Sequence, residues 1–157
     1  MKNSHVVVVV ALAMCMATLH ALADTVPGPQ DAERAAIEKA VRDYIDGWYE
    51  GSAERMARAL HPDLAKRRMV PLPNGRQILD TASADVMIEA TRAGFGKQKA
   101  RSDQQNQVII LDLIGNMAAV KTISPDFIDL LHLAKANGEW RIVNVLWESV
   151  QPPSAGK

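Results

Sequence analysis

The chain has a single cysteine, Cys15, among its 157 residues, so it cannot form an internal disulfide or a cysteine-built metal centre. It has no excess of charge of either sign: Lys+Arg and Asp+Glu are both 18. That balance removes the electrostatic footprint expected of a nucleic-acid or anionic-membrane binder. The one basic run is the short Lys66-Arg67-Arg68. No glycine-rich phosphate loop follows a strand, and neither Ser83 nor Ser102 sits in a nucleophile elbow. Internal repeats and low-complexity segments are absent. No apolar run reaches the ~20 residues that a membrane-spanning helix needs.

The first residues have the pattern of a signal peptide. Lys2 supplies a positive charge, Val6 to Ala17 is unbroken apolar sequence, and Ala21-Leu22-Ala23 offers small residues for cleavage. The expectation is cleavage after Ala23 and a periplasmic or secreted product. A retained anchor, or acylation at Cys15, ranks lower; Met14 is too large for the acylation pattern. With residues 1–23 removed, Cys15, His5 and His20 leave too. The mature protein then has no thiol, and its stability rests on packing. No membrane contact is expected after signal removal.

Residues 24–30, with Pro27, Gly28 and Pro29, read as a flexible lead-in to a domain over 31–150, followed by a tail at 151–157. Ile37, Ala40, Val41, Tyr44, Ile45 and Trp48 recur at helical spacing and predict a helix from Asp31 to Tyr49, ended by Gly51. Ser52 caps a shorter helix through Leu60, which His61-Pro62 stops. Leu64 to Leu72 and Arg76 to Asp80 flank Asn74-Gly75 as a short hairpin. Ser83 caps a third helix carrying Val86, Met87, Ala90 and Ala93. After a polar loop over 97–106, two hairpins follow. One turns at Gly115-Asn116 and the other at Asn137-Gly138. The fold class is α+β, with helices on one side of an antiparallel sheet.

A two-residue turn at Asn137-Gly138 pairs Ala136 with Glu139 and fixes a register. Uninterrupted pairing places Phe127, Asp129, Leu131, Leu133, Trp140, Ile142, Asn144, Leu146 and Glu148 on one face. Ile128, Leu130, His132, Ala134, Arg141, Val143, Val145 and Trp147 take the other. Both faces are largely apolar, whereas a sheet with one wet face should alternate. The simplest second cover is another copy of the chain, with Leu130, His132, Val143, Val145 and Trp147 at a homodimer interface.

Three stretches carry a resemblance: Tyr44-Ile45-Asp46-Gly47, then Leu60-His61-Pro62-Asp63-Leu64-Ala65-Lys66-Arg67, and the block from Asp129 to Glu148. With the order of elements, they resemble the nuclear transport factor 2-like superfamily (SnoaL-like, cystatin-like), and within it the putative lumazine-binding group. The resemblance covers nearly all of Asp31 to Glu148. It implies a cone-shaped barrel in which a curved sheet packs on three helices, usually dimeric through the sheet. The superfamily includes isomerases, dehydratases, binding modules and assembly domains, so the fold does not choose a function. Relatives often carry an aromatic residue where Leu130 stands.

The expected pocket residues are Tyr44, Trp48, His61, Arg67, Asp129, Leu131, Asn144 and Leu146. Asp129, desolvated beside Asn144, suits a proton shuttle with Asn144 donating to a substrate oxygen. Pairing of Asp129 with Arg67 or a backbone amide is favoured over that role, because buried carboxylates are commonly paired. His61 is a candidate base at the pocket mouth, against the commoner role of capping helix carbonyls. His61 and His132 have no metal-binding spacing, and neither a metal nor another cofactor is expected. Tyr44 and Trp48, one turn apart, are core or the wall for a flat ligand. The leading expectation is an exported protein that binds a small molecule without catalysis. A cofactor-free acid/base enzyme using Asp129 and a protein-interaction domain are the alternatives.

Overall fold

The computed structural model describes residues 28–99 and 105–150. The expected signal peptide and its cleavage site, Ser102, and the tail at 151–157 lie outside the described residues. The chain clusters into two units, residues 1–33 and 34–157.

Of the first unit, residues 28–33 form the opening turn of helix α1, Pro29–Glu50. The helix begins two residues before the expected Asp31. Proline at the first helical position gives up an N–H that has no helical partner anyway. The Gly28 carbonyl accepts from Asp31 N at 2.9 Å, and the Asp31 carboxylate accepts from Gly28 N at 3.1 Å. This reciprocal pair satisfies amides that the helix leaves open.

In the second unit α1 continues to Glu50 and ends at Gly51, whose φ of 71° suits a residue without Cβ. Helix α2 spans Ala53–Ala59 and is capped by Ser52, whose hydroxyl accepts from Arg55 N. The buried Asp43 on α1 ties the two helices together, reaching Arg55 at 3.0 Å, Arg58 at 3.3 Å and Lys39 at 3.2 Å. Burial alone would raise the Asp43 pKa; the hydrogen bonds from these three cations outweigh it and hold the carboxyl below its ordinary value.

Strands β1, Leu60–Pro71, and β2, Gln77–Ala82, form a longer hairpin than expected. Helix α3, Ala84–Arg92, starts at the Ser83 cap. A 3-10 turn at Lys97–Lys99 follows. Strands β3 (Gln107–Ile114), β4 (Met117–Ile123), β5 (Phe127–Ala136) and β6 (Glu139–Ser149) form the meander. Asn137 and Gly138 at φ 53° and 83° make the β5–β6 connection a type I′ turn, the hand that matches strand twist.

All six strands join one sheet in the order β2-β1-β6-β5-β4-β3. Among the described residues its two edges, β2 and β3, do not meet, so the curved sheet stays unclosed. Every junction is antiparallel except one: β1 runs parallel to β6, with Lys66 opposite Val145. The first hairpin is therefore part of the main sheet rather than an appendage. Parallel neighbours need a long connection, and here the whole of β2 to β5 supplies it.

The core is the inner face of this sheet packed on α1. Ile37, Val41 and Ile45 cluster with Val120, Leu131, Leu133, Ile142 and Val145. The register expectation needs correction within β6. Pairing runs as expected from Ala136↔Glu139 to Leu133↔Ile142, then slips, so that His132 faces Asn144. Val143 is the extra residue of a β-bulge, and beyond it each side chain changes face relative to an uninterrupted ladder. Val145 is consequently 0% exposed in the core, while Leu146 is 49% exposed.

Candidate functional site

Four elements converge on one polar cluster beneath an apolar cavity. Asp129 on β5 points inward and is 1% exposed. Thr122 pairs with it across the β4–β5 ladder. Lys66 reaches it from β1, because the parallel register sets Lys66 beside Val145 on the inner face. Tyr44 descends from α1.

The carboxylate of Asp129 accepts from three side chains. Its Oδ1 accepts from Lys66 Nζ at 2.7 Å and from the Tyr44 hydroxyl at 3.1 Å. Its Oδ2 accepts from Thr122 Oγ1 at 3.0 Å. Lys66 also donates to the Tyr44 oxygen at 2.6 Å. The ammonium lies 4.8 Å from the centroid of the Trp147 ring, a cation–π distance. Lys66 is only 8% exposed, and burial pushes its pKa below the usual lysine value against the opposing pull of Asp129. Burial, then the charge on Asp129, pushes the Tyr44 phenol well above its ordinary value.

Over this cluster lies a cavity of about 130 Å³ lined by Tyr44, Ile45, Trp48, Lys66, Met87, Phe127, Asp129 and Trp147. Apolar and aromatic side chains form most of the wall. Phe127 and Trp147 meet edge to face with ring centroids 5.2 Å apart. Arg68 also approaches the Trp147 ring, 4.6 Å from its centroid, and is held by Asp80 at 3.2 Å. An apolar cavity of ~150 Å³ holds a benzene-sized molecule, so this one suits a single ring. Most ligand pockets are larger, ~300–1,000 Å³.

Of the expected pocket residues, Tyr44, Trp48 and Asp129 do meet at this cavity. Leu131 lies in the core at 1% exposure. Arg67, Asn144 and Leu146 are on the opposite face. Arg67 donates to Asn144 Oδ1 at 2.9 Å there, and Asn144 lies beside His132. For Asn144 and Leu146 the cause is the Val143 bulge in β6; Arg67 shares their face because β1 pairs it with Leu146. The inward cation is thus Lys66, and Arg67 is not the partner of Asp129. His61 sits in an irregular part of β1, half-exposed, with Nδ1 accepting from Asp63 N at 3.1 Å. It neither lines the cavity nor caps a helix carbonyl.

Of the expected interface residues, Leu130 and His132 are exposed on the outer face, together with Ile128 and Leu146. Val143 borders a shallow outer groove with His132 and Ala134. Val145 and Trp147 instead face inward. The sequence reading missed Lys66, Thr122, Met87 and Phe127 as parts of the site. Thr122 could have been found from the alternation Ala118, Val120, Thr122 along β4; Lys66 required the β1–β6 register. Among the described residues, no cluster of His, Cys, Asp or Glu could hold a metal ion. No described helix is long and apolar enough to cross a membrane.

A family model described as putative lumazine-binding matches residues 32–148. Solved structures of nuclear transport factor 2-like proteins share the fold. One of unknown function from Shewanella baltica is 14% identical with a TM-score of 0.60, covering 80% of this chain and 100% of its own. Another of unknown function, from Silicibacter pomeroyi, is 18% identical with a TM-score of 0.59, covering 78% and 99%. A putative scytalone dehydratase from Novosphingobium aromaticivorans is 18% identical with a TM-score of 0.52, covering 76% and 85%. These identities establish a shared fold and nothing about chemistry. Among proteins of curated function, none matches the chain significantly.

Proposed function

The chain belongs to the putative lumazine-binding family, of nuclear transport factor 2-like fold, and we propose that it is an exported protein that binds a small flat molecule in the aromatic cavity without transforming it. The observation that carries this reading is the state of Asp129. A general base must offer a free lone pair to the substrate proton. Here Lys66 and Tyr44 occupy one carboxylate oxygen and Thr122 donates to the other, so three donors compete with a substrate proton for the carboxylate. The cluster works as a fixed polar floor that holds α1, β1, β4 and β5 together, and the aromatic walls above it supply the binding surface. Export is supported by the charged and apolar leader ending in Ala21-Leu22-Ala23.

The rival reading is acid/base catalysis with Asp129 as the base and Tyr44 as the donor. It requires a substrate proton to reach Asp129 Oδ2 beside the Thr122 hydroxyl. Turnover of any substrate that disappears in Asp129→Asn would favour it.

We also propose that the chain forms a homodimer through the outer face of its sheet. Leu130 and Leu146 are 46% and 49% exposed there, and Ile128 is exposed beside them. The test of both proposals is native mass spectrometry of protein purified from its own periplasm. The expected result is a dimer that carries a small-molecule mass; a ligand-free monomer overturns both.

A further inference from the structure

The polar groups around the cavity are spent on one another. Lys66 donates to Asp129 at 2.7 Å and to the Tyr44 oxygen at 2.6 Å, and its ammonium lies against the Trp147 ring. Tyr44 and Thr122 both donate to Asp129. Lys66 and Asp129 neutralise one another, so the cluster offers no net charge to an ion. Tyr44, Lys66 and Asp129 are all buried.

Trp48 adds no polar atom to the cavity either. Among the described residues, its indole nitrogen is the one buried side-chain polar atom without a hydrogen-bond partner, and it is closed to water. Its edge is packed on Gly96, where a Cβ would stand 2.6 Å from Nε1. What the cavity presents to a guest is a surface almost wholly of carbon.

A polar group carried into such a space loses its water and gains no partner, and a charged group loses more. A hydrocarbon ring has no such loss. It gains contact with Ile45, Met87 and the rings of Trp48, Phe127 and Trp147. The Met87 thioether adds a soft contact of the kind that aromatic rings favour. The volume of about 130 Å³ is close to the ~150 Å³ of an apolar cavity that takes benzene. Lumazine, the molecule in the family's description, is the opposite kind of guest. Its fused rings carry carbonyl oxygens and ring nitrogens, which would face carbon here. We infer that the cavity selects an uncharged single-ring hydrocarbon over any ring that bears hydrogen-bonding groups, and that lumazine is not its ligand. The inference rests on the reading of this cavity as the binding site.

Toluene, phenol and lumazine test it. Toluene and phenol have nearly the same shape and differ by a methyl against a hydroxyl. With methionine methyl groups ¹³C-labelled, the Met87 resonance is the one lost in Met87→Leu, a volume-conserving change. Toluene is expected to move that resonance by its ring current and to bind at least roughly tenfold more tightly than phenol. Lumazine is expected neither to move it nor to displace toluene. Phenol binding within tenfold of toluene, or lumazine moving the resonance or displacing toluene, overturns the selectivity and leaves the cavity as a binding site. A Met87 resonance unmoved by all three probes removes the binding site itself.

Discussion

At the scale of single residues, Lys66 and Asp129 are each other's condition for being buried. Removing one partner of a buried pair leaves a charge with nothing to offset its lost hydration, at a cost of roughly 3–5 kcal/mol. Lys66→Met should lose about that much in urea unfolding. Adding Asp129→Asn should recover a large part of it, since the amide still offers an oxygen to Tyr44 or Thr122. Additive losses in the double variant would show the two groups to be uncoupled. Alkaline pH probes a second buried phenol. Tyr49 meets Ser124 at 3.0 Å and Asp126 at 3.1 Å, and burial first, with the Asp126 charge, pushes it up to about 12 from 10.0. The raised folded value means that the folded protein holds a proton which the unfolded chain has lost. The contribution is complete below pH 10 and disappears as pH rises towards about 12. Stability should fall across that window by about 1.4 kcal/mol per pH unit for this proton. Tyr44, also raised, falls in the same direction, and Lys66, lowered, acts oppositely below 10.5. The difference between the native protein and Tyr49→Phe in denaturant titrations over pH 9 to 12 isolates the Tyr49 share. Asp129 was legible from the sequence because a carboxylate on an apolar strand face stands out. Lys66 was not, because its direction depends on a strand far away in the chain.

At the scale of elements, the bulge in β6 makes a sharp prediction. Val145→Asp sets a second buried carboxylate beside the Lys66–Asp129 pair, where one ammonium cannot neutralise both, and should unfold the protein or cost several kcal/mol. Leu146→Asp, on the exposed face, should stay within about 0.5 kcal/mol in the monomer. An uninterrupted ladder would reverse the two results, so thermal melts of both variants decide the register. The ends of the elements were legible: Ser52 and Ser83 cap helices, and Asn137-Gly138 turns the last hairpin, because each position demands a particular backbone geometry. The bulge was not legible. Ile142-Val143-Asn144-Val145-Leu146 is apolar in both alternating phases, so hydrophobicity cannot tell where one residue drops out of the ladder.

At the scale of the whole molecule, the proposed dimer is tested by placing charge on the outer face. Leu130→Lys with Leu146→Lys should halve the mass measured by light scattering and leave the circular dichroism spectrum unchanged; an unchanged mass rejects this face as the interface. The pairings β1–β2, β3–β4 and β5–β6 were foreseeable from their turns. The parallel junction of β1 with β6 was not, since no turn joins those strands and no local signal marks them as neighbours. That junction has a consequence in time. Lys66 emerges from synthesis well before Trp147, which faces it across the cavity. The pairing of Lys66 with Val145 closes a long stretch of chain, and such closure is entropically late. The meander can assemble from local hairpins before the first strand docks against it. Lys66→Met should therefore leave the refolding rate nearly unchanged and speed unfolding, a φ-value near zero in stopped-flow chevrons. The cavity would then form after the meander and open before it.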